Sequence, residues 1–438
     1  MVTSVTAGIA AVLVLSLGFL SPVFGLVALL VITPFQPFID FYAPSLGSVY
    51  AGAALRDGLL VVISLRWILS RWFSEAAPQL TIPEKVALLY LILAIVWIPI
   101  APSFAGALVG YRNMVGFIVL LFVAAKAMSV RDRSAVLLKV FLVVALCSAL
   151  VGIIESLTFR AVFDLIHYDV TAVLGPIDYG SIPRATGGTG NALDFGLYMA
   201  IAATLSSALL SGRAPFPRWL LWLVLTATSL AVVLTLSRAA YIALTLGVLG
   251  TGVLLRPKRI WIAVGILAVM GLLAAVTPVA EIFSDRLLFN DSAGIQTATE
   301  RAEIARDIFS SPSIWLGDGL GTVGAALGRS GVNPKIDVTD NYYGSVLMQM
   351  GIVPLLVYLT LLAQLAGFFY KRLRQFHPGA SRSFIAATLM IVVVIAVHAL
   401  FSSALENRAI SVVIWTLFGT TIGLSRAANA VQLQPALT

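Results

Sequence analysis

Six arginines stand at the borders of apolar stretches in this sequence: Arg184, Arg238, Arg286, Arg301, Arg306 and Arg408. An arginine set against hydrocarbon is costly, so such residues turn toward a bundle interior or a watery cavity, snorkel to lipid phosphate, or pair with a nearby acid. Arg238 resists the bland readings best. It lies in an apolar stretch that begins at Trp219 and is interrupted by only one strongly polar pair, Ser237-Arg238. Planar guanidiniums suit bidentate capture of phosphate oxygens, and several that converge would stabilise a diphosphate leaving group. Asp340, where a long polar stretch meets the run NYYGSVLMQMG, has two readings: a general base on an acceptor hydroxyl, or a helix N-cap. Glu406 and Arg408, in SSALENRA, read as a local ion pair or as helix-end charges.

Other residue types that often carry chemistry point elsewhere. The three histidines are scattered: His167 in a polar loop, His377 in a basic turn, and His398 within VVVIAVHALF, where a hydrogen-bonded core imidazole is the default. Without ligand spacing they suggest no metal centre, and no cofactor is expected. The single cysteine, Cys147, lies in FLVVALCSALVG as a packed or lipid-facing thiol. The glycines of ATGGTGN (Gly187, Gly188, Gly190) follow no strand and precede no Gly-Lys-Ser/Thr, so they read as a flexible lead-in to a span instead of a phosphate loop. WLGDGLG, Trp315 to Gly321, reads as a tight turn.

The elements that must position these residues are membrane helices. With 60% hydrophobic and 11% charged residues and a mean hydropathy of +1.00, the chain lacks the polar surface to cover a soluble globule. Candidate spans fall at about 4–20, 22–38, 54–72, 85–101, 104–127, 134–156, 191–212, 218–236, 239–255, 259–280, 341–370, 383–404 and 409–425. The first two are short and joined at Ser21-Pro22, so about twelve transmembrane helices are expected in an all-α polytopic fold. The N-terminal residues lack a basic start and a cleavage site and are read as a retained segment. No internal repeat divides the chain, and residues 1–438 form a single transmembrane domain.

Basic residues orient the bundle. Arg131/Arg133, Arg213/Arg218, Arg256/Lys258/Arg259, Lys371/Arg372/Arg374/Arg382 and Arg426 fall on one side, with Arg66, Arg71, Lys85 and Lys126, against the acids Glu75, Glu84 and Asp132. That side is read as cytoplasmic. The basic pI then reflects topology and anionic inner-leaflet lipid, and no nucleic-acid partner is implied. Two long outer segments remain, about 157–190 and 281–340. Within the larger, TATERAEIARDIFSSP predicts a short helix. Thr297 and Glu300 have capping-box spacing, Ala305, Ile308 and Phe309 form an apolar face, and Pro312 ends it. It would lie along the membrane surface with Arg301 near the bundle mouth.

Taken in order, these residues resemble the O-antigen ligase and polymerase superfamily of bacterial envelope glycan assembly. The likeness rests on an Arg-x-x-Gly-x-x-x-Asn segment (Arg184, Gly187, Asn191), a Leu-Ser-Arg span start (Ser237, Arg238), and a large penultimate outer loop with a Glu-Arg pair (Glu300, Arg301) followed by PSIWLGDGLG. A loop-to-span junction with Asp340, Asn341 and Gly351 completes it. The resemblance covers about 180–370 in motifs and the whole chain in hydropathy. It implies a metal-independent, class C glycosyltransferase-like enzyme of the inner (cytoplasmic) membrane that takes glycan from an undecaprenyl diphosphate carrier at the periplasmic face. By matching position, Arg184, Arg238 and Arg301 would contact the diphosphate, Asp340 and Arg301 would be catalytic, and Asn341, Glu300 and Arg408 would lend support. The ligases of the superfamily carry a histidine where this chain has Asp340, which favours a Wzy-type polymerase with carrier-linked donor and acceptor and a chain-length regulator protein as a partner. Transfer to lipid A-core or protein by a ligase is the alternative. A transporter of a lipid-linked sugar is a third, though paired discontinuous helices and repeated halves are not evident.

The orientation makes a direct prediction. In a Cys147→Ala background, a cysteine at Ser292 is expected to react with a membrane-impermeant thiol reagent added to spheroplasts, while one at Ala214 reacts only after lysis. The reverse pattern would invert the topology.

Overall fold

The computed structural model describes residues 2–42, 51–73, 79–128, 131–158, 184–212, 216–255, 265, 303–304, 306–308, 310–324 and 341–433. Regular structure among them is helical. In chain order the helices are α1 (Val2–Leu20), α2 (Pro22–Ile32), α3 (Gln36–Tyr42), α4 (Ala51–Trp72), α5 (Ile82–Ile95), α6 (Phe104–Met114), α7 (Val119–Ala127) and α8 (Arg131–Leu157). After these come α9 (Ala192–Ser211), α10 (Arg218–Leu234), α11 (Arg238–Leu255), α12 (Ser313–Leu316), α13 (Tyr342–Met350), α14 (Ile352–Gln375), α15 (Ala380–His398) and α16 (Arg408–Leu433).

Local chemistry sets many of the boundaries. Ser21 caps α2 by accepting from Phe24 N, Ser103 caps α6 through Gly106 N, and Asn191 caps α9 through Leu193 N at 2.8 Å. Thr81 and Glu84 form a capping box at α5, with a proline in its first turn. Observed helices match the expected spans closely, except that 259–280 lies outside the described residues apart from Gly265.

Among the described residues, seven helices are long and apolar enough to cross a membrane, and the α6–α7 pair, bent by 41°, brings the number to eight if it is one span. The protein is thus a polytopic helical membrane protein. Of the other expected spans, α10 has 17 residues, α4 has the length at 22 residues but not the apolar composition, and 259–280 lies outside the described residues apart from Gly265.

Two helices form the centre. In α9, 89% of the span is buried inside the protein, and in α16 94%, against 33% for α14. The outer helices instead show large apolar side chains to the surroundings, among them Leu89, Ile92, Val253 and Leu356, as lipid-facing helices do. Close packing at the centre relies on small residues, since helices in lipid associate by van der Waals contact. Gly196 of α9 meets Ala240 of α11, and Gly247 of α11 meets Thr204 of α9. Likewise Gly419 and Gly423 of α16 lie against the backbone carbonyls of Leu121 and Ala125 in α7, too near for a Cβ to fit unchanged.

Three expected spans are each two helices: 22–38 holds α2 and α3, 104–127 holds α6 and α7, and 341–370 holds α13 and α14. The run 341–370 breaks at Gly351, which has φ 80° and turns α13 back along α14: Tyr342, at the start of α13, packs its ring 5.3 Å from that of Tyr358 in α14. Only α14 meets the length test for crossing. Hydropathy alone carries straight through this break.

Gly419→Val is expected to destabilise the purified protein by about 1–3 kcal/mol, through overpacking against α7. A lowered thermal unfolding midpoint in detergent would register it, and an unchanged midpoint would contradict the close packing.

Candidate functional site

Polar side chains gather at the end of the bundle opposite the basic turns. Arg184 and Arg238 meet there. The chain leaves α10 through Thr235 and Leu236, whose φ of 50° is the sole positive value at a non-glycine residue among those described. This left-handed turn costs about 1–2 kcal/mol and lets α11 begin at once. Ser237 Oγ then accepts from Ala240 N, and Arg238 is the first residue of the new helix. Arg184 Nε donates to Thr235 O at 2.8 Å, while Ala185 N donates to Leu234 O at 3.0 Å. Arg184 is thus tied by its guanidinium to the helix–helix turn that Arg238 follows.

The loop after Arg184 is an ordered cradle, which corrects its reading as a flexible lead-in. Ala185, Thr186 and Thr189 are buried. Glu155, fully buried at the end of α8, accepts from Thr186 N at 2.7 Å, Gly187 N at 3.0 Å and Thr186 Oγ1 at 2.9 Å. Successive backbone N–H groups in such a turn form an anion nest. Here a carboxylate of the protein fills it. Gly187 has φ 53° and lies under the ring of Phe195, and Ser148 Oγ donates to its carbonyl at 2.6 Å, so a side chain is excluded on both backbone and steric grounds.

From this cradle, contacts run on to the junction before α16. Asn407 Nδ2 donates to Asp194 Oδ2 at 2.7 Å and to Thr189 O at 3.5 Å, and its Oδ1 caps α16 through Ala409 N. Arg408, half-buried, is the next residue and the first of α16. Glu406 is buried in a 3-10 turn, with Gly324 packed on its carboxylate.

The described part of the long 281–340 segment docks on the α13–α14 break. Breaking a helix leaves carbonyls without partners, and in a membrane protein these must be met internally. Asp318 N donates to Met348 O at 2.8 Å and Gly319 N to Gln349 O at 3.0 Å, while Gly321 N donates to Gln349 Oε1 at 2.6 Å. Trp97 Nε1 holds Leu316 O from the far side. WLGDGLG is thus a turn, as expected, and also a plug for the helix break. Upstream, residues 303–304, 306–308 and 310 are helical, and Ile304 and Ile308 pack on Leu347, Met348 and Leu355. The expected apolar face is observed at Ile308; Ala305 and Phe309 lie outside the described residues. Pro312 does mark a change of element, as N-cap of α12.

Asp340, Arg301, Glu300 and Arg286 lie outside the described residues. The cap position of α13 is nevertheless plain: Asn341 Oδ1 accepts from Gly344 N at 3.1 Å, so the N-cap reading of Asp340 passes to Asn341. His398 is buried as expected, but its Nε2 meets no hydrogen-bond partner among the described residues. Cys147 is exposed on α8. Among the described residues, no three metal-ligating side chains converge.

A second charged group was missed by the sequence reading. Arg56, fully buried in α4, bonds Asp57 Oδ1 at 2.8 Å through Nε and reaches Gln36 Oε1 through Nη1. Arg112 of α6 pairs with Asp57 Oδ2 at 2.6 Å and bonds Asn113 Oδ1, and Gln36 Nε2 donates to Asp40 at 2.7 Å. The group borders the cradle, because Gly188 packs on Phe38 and Pro34 O. The signal was present in the sequence: Arg56-Asp57 and Arg112-Asn113 are charged or polar pairs inside apolar runs, which by default are functional or structural hypotheses.

No family model matches the sequence, and no curated protein matches it as a relative.

Glu155→Ala would orphan two buried N–H groups at about 1–3 kcal/mol each. The expected result is a lower unfolding midpoint together with faster trypsin cleavage at Arg184, and wild-type protection in the variant would refute the cradle.

Proposed function

We propose that the protein is a membrane glycosyltransferase that polymerises undecaprenyl diphosphate-linked oligosaccharide repeat units into O-antigen or exopolysaccharide at the outer face of the bacterial inner membrane. The observation that carries this reading is that Arg184, bonded through Nε to Thr235 O, and Arg238, the first residue of α11, flank one helix–helix turn at the end of the bundle away from the basic loops. Two cations brought to one end of a largely apolar bundle suit an anionic group that sits at the membrane boundary. A lipid-linked diphosphate has that charge and that location.

In the proposed reaction, an acceptor sugar hydroxyl attacks the anomeric carbon of the donor. Its proton passes to the Asp340 carboxylate, the new glycosidic C–O bond forms, and the bond from the anomeric carbon to the diphosphate oxygen breaks. The electron pair leaves with the carrier diphosphate, whose charge Arg184, Arg238 and Arg301 neutralise. The assignment of Asp340 draws support from the cap geometry: Asn341 fills the N-cap of α13, so helix capping does not account for an acid at the preceding position. Asn341 thereby positions the start of α13, and Arg408 adds positive charge at the same end. Glu300, paired in sequence with Arg301, would orient that guanidinium.

The test is a reconstituted assay with a synthetic diphosphate-linked repeat unit. Arg238→Ala is expected to lower the rate by about 10²–10³-fold and Asp340→Asn by about 10²–10⁴-fold, both with wild-type elution on size exclusion. Long glycan on the lipid carrier supports polymerisation, glycan moved to lipid A-core or protein means ligation, and movement across sealed vesicles with no bond formed means transport. Normal polymer length in both variants would overturn the mechanism.

A further inference from the structure

At the other end of the bundle, α4, α5, α7 and α16 enclose a shallow cleft lined by Trp67, Arg71, Glu84, Phe122, Lys126 and Arg426, with Leu80 at its edge. Three cations from three different helices thus face one another across a small space, and Glu84 is the single acid among the lining residues. Glu84 is 1% exposed, and one of its oxygens already accepts from Thr81 N and Thr81 Oγ1, each at 2.7 Å, and from Arg426. Its role is to cap α5 and to tie that helix to α16. Arg426 also donates to Gln79 O at 3.1 Å, which holds the guanidinium at the mouth. Lys126 is held across the cleft by Ser70 Oγ at 2.7 Å, itself one residue from Arg71. Among the lining residues the cations outnumber the acid, and like charges this close favour an added anion.

The floor is apolar. Trp67 and Phe122 stack at 5.0 Å between ring centroids, and tryptophan favours the headgroup level of a bilayer. Beyond the rim lie the exposed apolar side chains Leu69 and Trp72 of α4. A ligand that fits has a negative head for the three cations and hydrocarbon for the surface beside them.

We infer that this cleft binds the phosphate headgroup of an anionic phospholipid, with Arg71, Lys126 and Arg426 on the phosphate and the acyl chains along α4. Basic pockets between helices at the cytoplasmic face are suited to such headgroups. Bound there, the lipid bridges α4, α7 and α16, whose mutual contacts otherwise place three positive charges side by side.

The test titrates the full-length protein in detergent with phosphatidylglycerol or phosphatidylcholine, reading bound lipid by native mass spectrometry and the thermal unfolding midpoint in parallel. Saturable phosphatidylglycerol binding that raises the midpoint is expected, with phosphatidylcholine doing neither. Lys126→Gln should weaken binding about fivefold, and Arg71→Gln with Lys126→Gln more than tenfold, on the scale of about 1 kcal/mol per cation. The single variant serves if the double one fails to fold. Equal binding of both lipids, or wild-type affinity in the variants, would overturn the inference. Displacement of the lipid by inorganic phosphate at matching concentration would reassign the site to a soluble anion and overturn it too.

Discussion

Backbone hydrogen bonding in a medium without water is the constraint on which this architecture depends. A straight span satisfies itself, but each interruption exposes N–H or C=O groups that hydrocarbon cannot serve. Among the described residues, the breaks at Gly351 and between α10 and α11 are met from within. Carbonyls freed at Gly351 take donors from Asp318 and Gly319. The turn between α10 and α11 takes donors from Ala185 and Arg184, and the N–H groups of Thr186 and Gly187 are met by Glu155. Polar side chains collect where backbone is irregular because irregular backbone requires them.

That constraint explains why arginines end up where chemistry is expected. Arg184 serves the fold first, by bonding Thr235 O, and that same bond fixes the plane of its guanidinium. Arg238 occupies the first position of a helix that begins abruptly after a strained Leu236. Strain of this kind persists only when surrounding contacts over-determine it. Here Tyr241 Oη on Val233 O and Ser237 N on Thr235 Oγ1 supply that determination. Arg184 is preorganised by the turn it helps to build.

Much of this was legible in the sequence because local signals sufficed. Spans follow from hydropathy, and Ser237-Arg238 marks a turn because it alone interrupts forty apolar residues. Asn191 before an apolar run is a cap in any reading. What escaped depends on partners far apart in the chain. Nothing local tells that the carboxylate 31 residues before Thr186 will fill the glycine turn, or that Arg112 will reach Asp57 across 55 residues. Gly351 was visible, but a glycine within an apolar run is silent about whether the helix continues. Capping fell to Asn341 instead of Asp340 because the helix starts one residue later than composition suggests.

The carboxylate inside the glycine turn gives the arginine end of the bundle a built-in counterion. Glu155 lies three hydrogen bonds deep in a loop whose first residue is Arg184, so any anion arriving at that guanidinium meets a fixed negative charge behind it. A resident carboxylate weakens the hold on any anion at Arg184 and so shortens its stay.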